Sequence, residues 1–271
     1  MCRETGVCPA WTMEAMMMRT PDVARVSAFL GEYCALLLGC GATCVRMEKN
    51  VSRIAAAWRV EVDMSIMPRH IHLSVRDMRH DECVTSVVAT SVSPISYEVN
   101  TSLSRLSWEI ADGDVDYALA LERMREAQKE AMSPLMLPLA SCANAAFCRL
   151  FGGDLMAMAV VFLATLAGLW FKGRLARMKV DARVIWFVCA FVSAVLGSTG
   201  LLFPLSRTPQ TALATSVLYL VPGIPFLNSF SDMLYRHYIC AFSRFADAVV
   251  MTCCLSGGLC AAMLLMQVGM F

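Results

Sequence analysis

A few polar side chains in the apolar second half of the sequence have the chemistry to recognise a small ion. Asn228 and Asp232 lie four residues apart, and Arg244 and Asp247 follow them, three residues apart. An ionisable group at membrane depth costs free energy, so such groups pair with one another or serve a substrate or proton pathway. For Arg244 and Asp247 two interpretations stay open, an intrahelical ion pair or contact with a substrate.

These polar residues follow a segment in which a helix should break. Residues 211–221 would make only about 16 Å of helix. Pro222 and Pro225 lack backbone donors, and Gly223 adds conformational freedom. Because broken helices often form transporter binding sites, we expect a site here, although a simple proline kink or an early helix end is the alternative. The predicted substrate-binding residues are Pro222, Gly223, Pro225, Asn228, Asp232, Arg244 and Asp247.

The composition is that of a membrane protein. Of 271 residues, 58% are hydrophobic and 17% are charged, against about 45–50% and about 25% in soluble domains. The excess of apolar residues lies after Ser133, whereas charges concentrate before it. A net charge of +1, with no run of basic residues, gives no reason to expect binding to nucleic acid.

Five membrane spans can be drawn in residues 134–271, since about 17–25 apolar residues cross the hydrocarbon layer. Gly258 and Ala262, four residues apart in the last span, predict a close helix-packing face. Asp154, after two glycines, is predicted to cap the second span. The spans are about 135–151, 155–171, 184–203, 211–230 and 246–269.

The basic residues between spans predict the orientation. The side of the membrane opposite the loop after span two carries only Arg149 and Arg207. By the positive-inside rule, that loop and the N-terminal domain lie in the cytosol, and the protein is a multi-pass protein of the plasma (inner) membrane. The loop itself carries Lys172, Arg174, Arg177, Lys179 and Arg183.

The first half of the chain predicts a small soluble domain over residues 20–132, after a disordered tail over 1–19. Apolar residues recur at helical spacing in two segments and then alternate in two runs around 67–69, which predicts two helices and a hairpin. A third strand over 85–92 and helices over 97–111 and 114–131 follow. The predicted fold class is an α-helical membrane protein with about five transmembrane helices, preceded by a small α+β cytosolic domain.

The sequence predicts no cofactor and no metal site. Its thirteen cysteines include no CxxC pair, and His70, His72, His80 and Cys83 lack zinc-finger spacing. GxSxG, HExxH and P-loop motifs are absent as well, so we expect no enzyme.

Three segments, in order, carry a family resemblance. They are 41–48 (GATCVRME), 150–154 (LFGGD) and 220–225 (LVPGIP), the last followed by Asn228, Asp232 and Arg244. The sequence resembles the ThrE-type threonine/serine exporter family, and in particular the large subunit of its split, two-component members.

That resemblance implies a secondary exporter of a small carboxylate, either threonine/serine or a dicarboxylate such as succinate. It also implies a separate small membrane subunit that carries the second half of the fused members, besides the lipid bilayer; a homo-oligomer is left open. On this hypothesis Arg244 or exposed backbone N–H groups meet the substrate carboxylate, and Asp232 or Asp247 carries a coupling proton. The rival hypothesis is a membrane-anchored enzyme or sensor that acts through the N-terminal domain, with Arg46 and Glu48 in its site. A membrane scaffold without a transported ligand is a third.

Overall fold

The computed structural model describes residues 22–78, 82–90, 95–129, 135–202 and 206–267. These residues form two compact units. The first contains the described residues up to 129 together with 227–244, and the second contains 135–226 together with those from 245 onward. The predicted domains, 20–132 and 134–271, stay a prediction; segment 227–244, assigned there to the membrane domain, packs within the first unit.

The N-terminal part of the first unit consists of helices that pack on a small sheet. The first two helices bury the apolar faces predicted from the sequence, with Val26, Leu30 and Met47 fully buried in one core. The elements are α1 (Val23–Gly39), α2 (Cys44–Trp58), β1 (Val60–Ile66), β2 (His70–Asp77), β3 (Cys83–Ala89), α3 (Tyr97–Asp112) and α4 (Tyr117–Lys129).

The sheet is antiparallel, in the order β1-β2-β3. Val62 faces Val75 across the first pair, and the chain turns at 67–69, so the predicted hairpin is confirmed. The third strand begins at Cys83, two residues earlier than predicted, and its predicted end at 91–92 lies outside the described residues.

The link between α1 and α2 is a tight, defined turn. Gly41 has a φ of +87°, the left-handed region that glycine adopts without steric cost. The Gly41 N–H bonds to the Leu38 carbonyl and the Ala42 N–H to the Leu37 carbonyl, the two bonds of a Schellman motif. Thr43 is then extended, with φ −74° and ψ 153°, and α2 begins at Cys44. The turn holds the backbone of 41–44 in one conformation.

The remaining helices are apolar, and several are long enough to cross a membrane. They are α5 (Met136–Leu150), α6 (Leu155–Arg177), α7 (Ala182–Gly197), α8 (Thr199–Leu202), α9 (Pro209–Ser216), a 3₁₀ turn (Leu218–Leu220), α10 (Gly223–Leu234) and α11 (Tyr238–Leu265).

Within the described residues, three helical stretches qualify as candidate spans: Leu155–Arg177, Ala182–Leu201 and Tyr238–Leu265. A fourth is obtained if Pro209–Leu220 and Gly223–Leu234, bent by 54° at their junction, count as one broken span. The predicted first span corresponds to α5, whose 15 residues reach about 22 Å against about 30 Å of hydrocarbon. The count of five therefore stays a prediction.

Glycines let the helices of the second unit approach closely. A Cβ on Gly258 would collide with the Phe187 carbonyl oxygen, and one on Gly168 would collide with the Tyr219 hydroxyl. Ala262 is buried. The predicted packing face at Gly258 and Ala262 is confirmed, because only small residues allow such contact.

Candidate functional site

The predicted break in the fourth span is confirmed. Helical structure stops at Leu220 and resumes at Gly223, where the Gly223 N–H bonds to the Val221 carbonyl at 2.8 Å. Pro225 falls in the first turn of α10, where a missing N–H costs no helical hydrogen bond. The Leu220 carbonyl accepts a hydrogen bond from Trp186 Nε1 at 2.9 Å. The break thus combines a helix end with a new helix start, and a freed carbonyl is satisfied by protein.

Asp232 is the most deeply buried charged residue near this break. It lies on α10, and its side chain is 0% exposed. Its Oδ1 accepts a hydrogen bond from the backbone N–H of Cys44, at 2.8 Å. Cys44 is the first residue of α2, and the preceding Thr43 makes no side-chain capping bond. Asp232, 188 residues further along the chain, therefore caps α2 in place of Thr43.

Arg244 on α11 completes the cluster. Its Nη1 lies 3.0 Å from Asp232 Oδ2, and its Nη2 donates to the Ala42 carbonyl at 2.7 Å. Among the described residues, Asp232 Oδ2 and Arg244 Nη1 are the buried side-chain atoms without a hydrogen bond, and the two face each other as an ion pair. Two opposite charges thus face each other in a buried position with unused hydrogen-bonding capacity.

Asn228 binds the same turn from one helical turn earlier on α10. Its Nδ2 donates to the Gly41 carbonyl at 2.7 Å. Ser229 donates to the Ala241 carbonyl at 2.7 Å, which ties the start of α11 to α10. The carbonyls of Gly41 and Ala42 and the N–H of Cys44 therefore each meet a different side chain from the 227–244 segment.

Two further contacts surround this cluster. His237 Nε2 lies 3.3 Å from Glu48 Oε2, and Cys240 Sγ donates to the Ile66 carbonyl at 3.4 Å. The pKa of the Cys44 thiol is raised by its hydrogen bond with Cys240, by burial and by the negative charge of Asp232. These contacts therefore favour the neutral thiol at Cys44.

The structure brings together three of the seven predicted site residues, Asn228, Asp232 and Arg244. Pro222, Gly223, Pro225 and Asp247 belong to the second unit, where Asp247 is exposed. The ion pair of Arg244 is made with Asp232, twelve residues earlier, and not with Asp247 as the spacing had suggested for a structural pair. The site role of all seven stays a prediction.

Sequence reasoning missed that the backbone of 41–44 contributes to the cluster. The segment had been noticed as part of the resemblance, but nothing in its spacing linked it to α10. The sequence carried no signal for it, because threonine is a preferred N-cap residue and Thr43 predicts a helix that caps itself.

Comparison with known proteins identifies the family. The model of the ThrE family, described as "Putative threonine/serine exporter", matches residues 28–266. The chain belongs to the ThrE family. The match includes the turn at 41–44 and all seven predicted site residues, so the family predicted from the sequence is confirmed.

Two curated relatives of the ThrE chain carry the name "Probable succinate transporter subunit YjjP". The Klebsiella aerogenes protein is 28% identical over 81% of this chain and 86% of its own length. The Escherichia coli K12 protein is 26% identical over 87% of this chain and 92% of its own length. No solved structure matches the chain significantly.

A separate cavity lies in the second unit. It has a volume of about 430 Å³ and is lined by Phe151 and by five residues of 210–218, without a charged side chain among them. None of the predicted site residues lines it. Its chemistry suits an apolar group or a neighbouring helix better than a carboxylate, so it does not replace the cluster at Asp232 and Arg244 as the candidate site.

No group of three or more metal-binding side chains occurs within the described parts of the chain. His80, from the metal-like sequence cluster, lies outside them. The residues of the rival hypothesis are engaged in the fold: Arg46 Nη1 donates to Asn100 Oδ1 at 3.0 Å, and Glu48 pairs with His237.

Proposed function

We propose that this chain is the large subunit of a two-component secondary exporter that moves a small carboxylate out of the cytosol. Membership in the ThrE family and the apolar helices support the exporter role. The substrate is succinate or threonine/serine, the partner is a small membrane subunit, and the chain acts as a transporter and not as an enzyme. The name that both relatives carry, "Probable succinate transporter subunit YjjP", favours the dicarboxylate.

The observation that carries the proposal is the buried pair of Asp232 and Arg244 on two apolar helices. Burying an ion pair rarely stabilises a protein, because desolvation offsets the Coulomb attraction. Ionisable residues kept at such positions commonly serve transport. The guanidinium of Arg244 has the fork geometry that recognises carboxylates, and its Nη1 has no hydrogen bond within the described structure.

The remaining predicted residues complete the transport site in this proposal. Pro222, Gly223 and Pro225 keep the fourth span broken, and the substrate enters from the cytosolic side. Asp232 or Asp247 carries a coupling proton. The proposal keeps five spans, drawn from the lengths of the apolar segments, and a cytosolic N-terminal domain, drawn from the basic residues between the spans.

Export assays test the function directly. Cells that lack their own exporters would express the chain with its small membrane subunit, and release of succinate and of threonine would be followed with time. We expect faster release of at least one compound, and none from the Arg244→Gln variant. The exposed Glu122→Gln provides a matched loss of one charge outside the site, and we expect it to export like the wild type. Unchanged efflux of both compounds, with both subunits in the membrane, would refute the proposal.

The orientation has its own test. A fluorescent-protein fusion after Met178, in the basic loop, should fluoresce in the cytosol, and an alkaline phosphatase fusion after Arg207 should be active outside. The reverse pattern would refute the cytosolic placement of the N-terminal domain.

A further inference from the structure

The first turn of α2 has the properties of a carboxylate-binding position. The leading N–H groups of a helix have no intrahelical partners, and the helix dipole adds positive potential there. In this structure the position is filled, because Asp232 Oδ1 accepts the Cys44 N–H at 2.8 Å. The other carboxylate oxygen faces Arg244 at 3.0 Å. A carboxylate is thus held between a helix N-terminus and a guanidinium.

Asp232 does not satisfy every hydrogen-bonding group at this position. Its Oδ2 is buried and lacks a hydrogen bond, as does the facing Nη1 of Arg244, within the part of the chain that the structure describes. A buried charge that is only partly satisfied carries a free-energy penalty. A mobile carboxylate, free of the constraints of α10, could orient both oxygens to satisfy both donors. The unsatisfied pair therefore points to a ligand that exchanges with Asp232.

We propose that the first turn of α2 and Arg244 form the carboxylate-binding site of this exporter, and that Asp232 occupies it as a built-in carboxylate in this conformation. The inference rests on the proposed function and adds that the N-terminal domain, and not the spans alone, contributes to substrate binding. The ligand class is a small aliphatic carboxylate such as succinate or threonine. Release of Asp232 from the Cys44 N–H couples substrate entry to movement of α10.

The backbone conformation at the turn allows a substitution to remove the Cys44 N–H donor without disturbing the turn. Cys44 is the first residue of α2, where proline is well tolerated in helices. Thr43 has φ −74° and ψ 153°, the conformation that a residue before proline prefers. Cys44→Pro therefore deletes the N–H while keeping the local backbone, and Cys44→Ala is its matched control, which loses the thiol but retains the N–H.

Two measurements on the purified chain, in complex with the proposed small membrane subunit, test the site. The first is binding of radiolabelled succinate and threonine. Relative to Cys44→Ala, we expect Cys44→Pro to bind about tenfold or more weakly, the loss typical of one hydrogen bond to a charged group. Equal binding by the two variants, beside normal wild-type binding and export, would overturn the site and leave the proposed function standing. Absence of binding and export in the wild type would overturn both.

The second measurement is chemical rescue, which needs no transport. Asp232→Ala removes the side-chain carboxylate, and added acetate supplies a carboxylate in its place. We expect acetate, but not chloride at equal ionic strength, to raise the melting temperature of Asp232→Ala, with little effect on the wild type. The rise should be smaller in Asp232→Ala/Cys44→Pro than in Asp232→Ala/Cys44→Ala. No acetate-specific rise, or an equal rise in both double variants, would refute a carboxylate site at the start of α2.

Discussion

Two polar clusters buried among apolar helices differ in what they leave unsatisfied. In the second unit, Asn144 Nδ2 donates to Thr165 Oγ1 at 2.7 Å and to the Thr215 carbonyl at 3.1 Å, so neutral groups meet neutral groups. In the first unit, Asp232 and Arg244 are charged, and each has an atom without a hydrogen bond within the described structure. The first arrangement is what helix packing requires. The second is more than packing requires, which is why we assign function to it.

The largest expected effect on stability comes from breaking the ion pair of the charged cluster. Arg244→Ala leaves Asp232 buried without its cation, and we expect a loss of about 3–5 kcal/mol in the free energy of unfolding. Asp232→Asn/Arg244→Gln removes both charges and should lose less than Arg244→Ala alone. Thermal or denaturant unfolding in detergent measures the difference. A double variant less stable than the single would show that the charges are not coupled.

A second, smaller effect concerns close helix contacts in the second unit. Gly168→Ala places a methyl group against the Tyr219 hydroxyl and the Ser193 Oγ, which are hydrogen-bonded to each other at 2.9 Å. We expect about 1–3 kcal/mol of destabilisation from overpacking. Gly173→Ala, which meets no neighbouring atom, is the matched control and should melt like the wild type. Equal melting temperatures for both variants would contradict the packing described for Gly168.

The neutral cluster around Asn144 should tolerate substitution better than the charged cluster of Asp232 and Arg244. Asn144→Leu has similar volume and removes the bonds to Thr165 and Thr215, for which we expect about 0.6–1.7 kcal/mol, the range of interhelical hydrogen bonds in membranes. Export should persist. An Asn144→Leu variant that folds normally but exports nothing would contradict the assignment of transport to the charged cluster alone.

The smallest effect is expected at the start of α6. Asp154 accepts hydrogen bonds from the Arg207 and Ala157 backbone and from Ser206, and the first of these contributes most to lowering its pKa to about 2. Since the folded pKa lies below the unfolded value of about 3.9, the ionised group stabilises the fold above that value and loses its contribution as the pH falls toward 2. Asp154→Ala should lower the melting temperature at pH 7 more than Asp154→Asn, which can still cap α6. A smaller loss for Asp154→Ala would contradict this role.

Local structure was predictable wherever the spacing of apolar residues, or a proline or glycine, determined it. The buried faces of α1 and α2, the hairpin and the break before Gly223 all follow from spacing, proline and glycine. The capping role of Asp154 follows from its position before an apolar run, and its bond to the Ala157 N–H confirms it.

Partners distant in sequence were not predictable. The spacing of Arg244 suggested Asp247, three residues away, but the fold pairs Arg244 with Asp232 and joins both to residues 42–44. Helical periodicity encodes neighbours within a helix and carries no information on which loop a side chain reaches. That pairing depends on tertiary packing, so it became visible only in the structure.

The measurement closest to the central claim is export by Asp232→Asn/Arg244→Gln, expressed with the small membrane subunit that we propose as its partner. Asparagine keeps the shape of aspartate, and glutamine places a shorter polar side chain where arginine stood, so the variant removes both charges without adding a bulky group. Membrane level and melting temperature are compared with those of the wild type before transport is measured. We predict a folded protein that releases neither succinate nor threonine above background, beside a wild type that releases at least one. Wild-type export by this variant would show that the charged pair is not the transport site.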